Sequence, residues 1–205
     1  MNIKKYIIPL IVILIIGCTK RYIARYYILD YNPQINVENQ LEKPFPYNLQ
    51  VKKFKIDRTY DNSRIVIRQS AHQIYYDKFS LWARRPQEAI TFLLINHINK
   101  LHIVKNCKER FIDDRPDFII SGQIHSIEKY QNDLLLRADI HISLTLTKVS
   151  TNQIVLNKEI VNYIPLYTNE MNYFAKTISD NLNKEFSSFI LDMVNYFKSE
   201  EQTKL

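Results

Sequence analysis

The chain has 205 residues, 46% of them hydrophobic and 24% charged, with a formal net charge of +7. This suits one globular domain with a tether and excludes both a multidomain enzyme and a disordered chain. Glycine occurs only at positions 17 and 122, so a phosphate loop or a dinucleotide fingerprint is excluded, and two cysteines build neither a zinc site nor a disulfide framework.

Met1 to Lys5 is a short basic start, and Tyr6 to Ile16 is apolar apart from Pro9. Eleven residues do not span a bilayer, which needs about 20. The order basic, apolar, small is that of a secretory signal. Its ending, Ile15-Ile16-Gly17-Cys18, resembles the bacterial lipobox, which implies a signal peptide over 1–17, cleavage after Gly17 and lipidation of Cys18. Two or three acyl chains on one residue hold a protein at a membrane where a single chain does not. The mature chain has 188 residues (205 less 17) and, without Lys4 and Lys5, a charge of +5. The expected location is the cell envelope outside the cytoplasm. Thr19 rather than Asp after the cysteine implies the outer membrane, facing the periplasm. The basic residues are dispersed, so no nucleic-acid partner is expected. With Cys18 lipidated, Cys107 is expected to be a buried inert thiol.

Residues 18–25 form a short lipidated tether, reaching at most about 25 Å when extended. The folded domain is expected over 26–198. Arg25 to Asp30 reads as a strand, and Tyr31 to Pro46, with three prolines, as a loop. Tyr47 to Ile56 reads as a strand whose parity changes after Val51, which predicts a bulge. Arg64 to Gln69 and His72 to Tyr76 are short strands rich in Ile, Val and Tyr. Pro86 opens a helix at its first position. Ala89, Ile90, Leu93, Leu94, His97, Ile98 and Leu101 follow at helical spacing. His102 to Asn106 is a short strand.

Three strands follow, over Asp117 to Tyr130, Leu134 to Val149 and Gln153 to Tyr163. In the middle one, Leu136, Ala138, Ile140, Ile142, Leu144 and Leu146 alternate with Arg137, Asp139, His141, Ser143, Thr145 and Thr147. One face is therefore core and the other polar, in an antiparallel meander. A long helix closes the domain, with Thr168 or Asn169 as cap and Glu170 in its first turn. Its stripe runs through Met171, Phe174, Ala175, Ile178, Leu182, Phe186, Phe189, Ile190, Met193, Val194 and Phe197. Residues 199–205 are a polar tail. The fold class is α+β: a single domain with a twisted, mostly antiparallel sheet and two helices packed on one face.

The order Tyr26-Tyr27-Ile28-Leu29, Leu49 to Phe54, Tyr60-Asp61, Arg64 to Arg68, Tyr75-Tyr76, Trp82-Ala83 and Pro86 resembles the ABC-type transport auxiliary lipoproteins. These are the Pqi- and Mce-associated envelope lipoproteins. The resemblance is best from Tyr26 to Leu101 and loose elsewhere, and Arg84-Arg85 departs from it, standing where an acidic or neutral pair is expected. It implies a non-enzymatic accessory role beside an MCE-domain protein and an ABC transporter permease that move lipid across the envelope. The alternative is an envelope scaffold or activator lipoprotein of a cell-wall or secretion machine.

The candidate partner-docking residues are Trp82 and Arg68, each with a structural alternative. Trp82 can plug the core under the helix start, and Arg68 can pair with a carboxylate inside the fold. His97 and His102 are five apart and do not share a helical face. A three-residue loop at Asn132-Asp133-Leu134 pairs residues whose numbers sum to 266, which puts His125 opposite His141 on the polar face. No third ligand at fixed spacing accompanies them, so no metal is expected. No cofactor is expected, and no catalytic residues either, since the glycine needed for a nucleophile elbow is missing.

Overall fold

The computed structural model describes residues 23–33, 43–112 and 114–203. Gly17, Cys18 and most of the tether lie outside the described residues. In chain order the elements are β1 (Arg25–Tyr27), β2 (Phe45–Val51), β3 (Lys55–Ile56), β4 (Arg64–Ser70), β5 (Gln73–Trp82), α1 (Pro86–Lys100), β6 (Val104–Lys108), β7 (Phe118–Gln131), β8 (Leu136–Lys148), β9 (Gln153–Pro165) and α2 (Met171–Thr203).

All nine of these strands join one sheet, and β7 organises it. One edge of β7 carries β8, which in turn carries β9, both antiparallel. Its other edge is shared in succession by β2, β3 and β4, all parallel. Beyond β2 lies β6, parallel, and beyond β4 lies β5, antiparallel. β1 closes that side, parallel to β5. The long ladders are thus antiparallel, as the meander pattern predicts, while short parallel pairings make the sheet mixed. Those parallel pairings join strands distant in sequence, which alternation alone does not report.

The bulge expected after Val51 is present. Val51 pairs with Ile120, but Lys55 pairs with Gln123, so four steps on one strand meet three on β7. The spare length turns Phe54 inward, where it is buried over Gly122. A Cβ on Gly122 would lie 2.6 Å from the Phe54 ring, so only glycine fits beneath it. Thr91 of α1 locks the bulge: its Oγ1 accepts from the Phe54 amide at 3.0 Å and donates to the Gln87 carbonyl at 2.6 Å.

Both helices lie on one face of the sheet. α1 begins at Pro86 and buries Ala89, Ile90, Leu93, Leu94, His97 and Ile98, the stripe its spacing predicts. α2 has 33 residues and is about 50 Å long. Its buried stripe contains the expected Phe174, Ile178, Leu182, Phe186, Phe189 and Phe197. Near one end Phe174 meets Trp82 at 5.9 Å; near the other Phe197 meets Phe118 at 4.8 Å and Tyr47 at 4.9 Å. One helix therefore ties the β5 side of the sheet to the β2 side. The even-numbered residues from Ala138 to Leu146 face it from β8.

Some boundaries differ from expectation. β5 runs on to Trp82, past a bulge where Asp77 Oδ1 accepts from the Phe79 and Ser80 amides at 2.8 and 2.9 Å. Glu170 precedes α2 rather than lying in its first turn: its carbonyl accepts from the Phe174 amide at 3.1 Å, and Thr168 Oγ1 accepts from the Glu170 amide at 3.3 Å. The polar residues from Ser199 to Thr203 continue the helix.

This packing makes graded demands. Phe189→Ala should cost about 3–5 kcal/mol and Ile142→Ala about 2–5 kcal/mol. Gly122→Ala should cost about 1–3 kcal/mol, because the Phe54 ring has to move. Thr145→Ser, on the opposite face, should cost far less than any of these. Chemical denaturation of the four variants checks the order; a Thr145→Ser loss above that of Ile142→Ala would contradict the assigned faces.

Candidate functional site

The sheet face turned away from the helices carries the polar chemistry. On β8 it presents Arg137, Asp139, His141, Ser143 and Thr145. On β7 the face depends on a bulge at His125: Ile124 pairs with Ile142, but Ser126 pairs with His141. Past that bulge the parity of β7 flips. Ile127 and Lys129 turn to the core side, and Glu128 comes directly opposite Asp139 on the polar face.

Two carboxylates side by side repel unless each has a cation. Here each does. Arg68 Nε donates to Glu128 Oε1 at 2.5 Å, and the Tyr60 hydroxyl donates to Glu128 Oε2 at 2.7 Å. Arg137 grips both Asp139 oxygens, at 2.7 and 3.0 Å, in the forked geometry that suits guanidinium and carboxylate. The same guanidinium lies over the rings of Tyr130 and Tyr163, 4.6 and 4.7 Å from their centroids. The Glu128 and Asp139 side chains are each only 5% exposed. Burial holds the Asp139 carboxyl above the usual range, against the pull of Arg137. The Glu128 bond holds the Arg68 guanidinium firmly protonated.

On the core side Lys129 is buried. Its ammonium donates to the Asn169 carbonyl at 2.7 Å and to Asn169 Oδ1 at 2.5 Å, tying β7 to the turn before α2. Burial lowers its pKa.

The histidine pair is present, by a different route from the expected one. The loop between β7 and β8 has four residues, 132–135, with Asn132 Oδ1 accepting from the Leu134 and Leu135 amides at 3.0 and 2.8 Å. The bulge at His125 then restores the predicted register over Phe118–Ile124. The rings of His125 and His141 lie 4.3 Å apart. A third group joins them that the sequence reading missed. Glu159 of β9 is hydrogen-bonded to His141 Nε2, and the ligand atoms of all three lie within 4.8 Å of one another. Glu159 reaches this face because β9 also carries a bulge: Leu146 pairs with Leu156 but Thr147 with Ile154, leaving Val155 as the extra residue. Ser143 shares a 3.0 Å hydrogen bond with His125 Nε2. It also lines a neighbouring cavity of about 340 Å³ with Lys52, Lys55, Ser121, Gln123 and Thr145.

For both docking candidates the structure shows the structural alternative: a core plug for Trp82 and an internal ion pair for Arg68. Trp82 is only 3% exposed and packs on Phe174, because the pairing of Tyr27 with Trp82 seals it beneath the sheet edge. Arg68 is committed to Glu128 and Tyr60. Cys107 is buried, and burial pushes its thiol up to about 12, as expected for an inert cysteine. His97, on the buried face of α1, is hydrogen-bonded to Tyr31.

No protein-family model matches the sequence, and no curated protein matches it. Solved structures do. A Xanthomonas campestris protein of the family designated DUF330 has a TM-score of 0.71 at 13% identity, covering 87% of this chain and 99% of its own. A second, uncharacterised protein has a TM-score of 0.66 at 11% identity, covering 83% of this chain and 99% of its own. At these identities the likeness shows a shared fold. Among the described residues no helix is long and apolar enough to cross a membrane.

The carboxylate ladder separates structural from superficial charge. Arg68→Ala leaves Glu128 buried without its cation and should cost about 3 kcal/mol. Arg85→Ala, which removes an exposed 3.3 Å bridge to Asp61, should cost less than about 1 kcal/mol. Thermal unfolding of both variants checks this; equal losses would mean that Arg68 is not structural.

Proposed function

We propose that this protein is a lipid-anchored lipoprotein of the cell envelope that serves as a non-enzymatic docking component of an ABC-type, MCE-associated lipid transport system. One observation carries the reading: the run Ile15-Ile16-Gly17-Cys18 stands just upstream of β1, the edge strand that starts at Arg25. An anchor on Cys18 would hold the domain within about 25 Å of its membrane. A domain so tethered does not carry cargo across an envelope; it holds a fixed place, and a longer partner comes to it. The resemblance from Tyr26 to Leu101 suggests which partners: an MCE-domain protein and an ABC permease.

The packing supports docking over carriage. The space between sheet and helices is filled by Phe174, Phe186, Phe189 and Phe197, all buried. Among the described residues, the helix-free face is the surface left for a partner, bordered by β9, where Val161 and Tyr163 are 45% and 62% exposed.

Cys18→Ala should lose the acyl mass and leave the membrane fraction. Wild-type protein, captured from membranes, should bring down an MCE-domain protein and a permease, and release no stoichiometric phospholipid on extraction. Recovery of a cell-wall or secretion complex instead, or of one tightly bound lipid per chain, would contradict the docking role.

A further inference from the structure

We propose that His125, His141 and Glu159 form a site for a transition-metal ion, with zinc the best match to the donor set. This inference is independent of the transport reading. Two imidazoles and one carboxylate are the ligand types that zinc takes in three-ligand sites, with water in the remaining position.

The geometry fits with small adjustments. Tetrahedral zinc with bonds of about 2.0–2.1 Å separates its ligand atoms by about 3.4 Å. Here the three lie within 4.8 Å of one another, so side-chain rotations that part the His141–Glu159 contact and draw in His125 set all three around an ion. His141 already directs Nε2 at the Glu159 carboxylate, where an ion would stand between them. The Ser143 hydroxyl, 3.0 Å from His125 Nε2, orients the second ring, in the way outer partners orient metal-bound imidazoles.

The scaffold is as informative as the donors. The ligands come from three neighbouring strands, so their spacing is set by two ladders rather than by a loop. His125 sits in one bulge, and Glu159 faces this side because of another. Bulges re-aim side chains and are common beside functional sites. Without the Val155 bulge, Glu159 would turn to the helix side. A second carboxylate stands close by: the Asp57 amide donates to the Ile124 carbonyl at 3.0 Å, placing Asp57 beside His125. Asp57 and Glu159 stand beside a cavity to which Lys52, Lys53 and Lys55 bring positive charge.

The test uses the full chain in detergent, stripped of metal with a chelator and titrated with zinc. Equilibrium dialysis should find one ion per chain, and the imidazole signals of His125 and His141 should shift together by nuclear magnetic resonance. His141→Ala and Glu159→Gln should each weaken binding by at least about tenfold. His72→Ala, in the β4–β5 turn, should leave it unchanged. No retained zinc, equal binding by His141→Ala, or magnesium binding as tightly as zinc would each overturn the proposal.

Discussion

The fold rests on one constraint: β7 has to satisfy hydrogen bonds along both edges over 14 residues. A backbone group buried without a partner is costly, so each segment of that strand needs a neighbour on each side. One side is supplied by a single continuous strand, β8. The other is assembled from β2, β3 and β4, which arrive from separate parts of the chain. No hairpin connects these to β7, so their pairing closes long loops and is held by the core beneath. That core is α2, whose aromatic residues reach from Trp82 to Phe45 and Phe118. Sheet and helix therefore stabilise each other: the composite edge is held by the core beneath it, and the 33-residue helix draws most of its stability from packing its apolar stripe.

Bulges convert this frame into a chemically organised surface. Each inserts one residue, flips the parity of the strand beyond it and so decides which side chains share a face. The bulge at His125 sends Lys129 inward to Asn169 and Glu128 outward to Arg68, in adjacent positions of the same strand. The resulting ladder of Arg68, Glu128, Asp139 and Arg137 balances charge within the sheet face. The bulge near Val155 brings Glu159 to the histidine pair. Sites and structural ion pairs alike follow from where the extra residues fall.

Much of this was legible in the sequence where the signal is periodic. The α1 stripe, the alternation of β8, the buried Cys107 and the break after Val51 follow from spacing and residue type. Gly122 could not be assigned its role, because the partner that excludes a Cβ, Phe54, lies on a distant strand. The His125–His141 pairing was reached with a loop one residue too short, and the bulge cancelled the difference. Glu159 stayed hidden because a regular β8–β9 register puts it on the other face. For Trp82 and Arg68 residue type and position already favoured a core plug and an internal ion pair, and the structure adds the partners, Phe174 and Glu128.

The claim that β7 is the frame on which everything else is hung can be tested by native-state hydrogen exchange. The amides of Ile119, Ile120, Gln123 and Ile124, residues of β7 with strand partners on both sides, should be the last to exchange, through global unfolding alone. The amides of β9, paired on one side, should open earlier. If the β7 amides exchanged before those of β9, or independently of α2, the sheet would not depend on that strand and the account would fail.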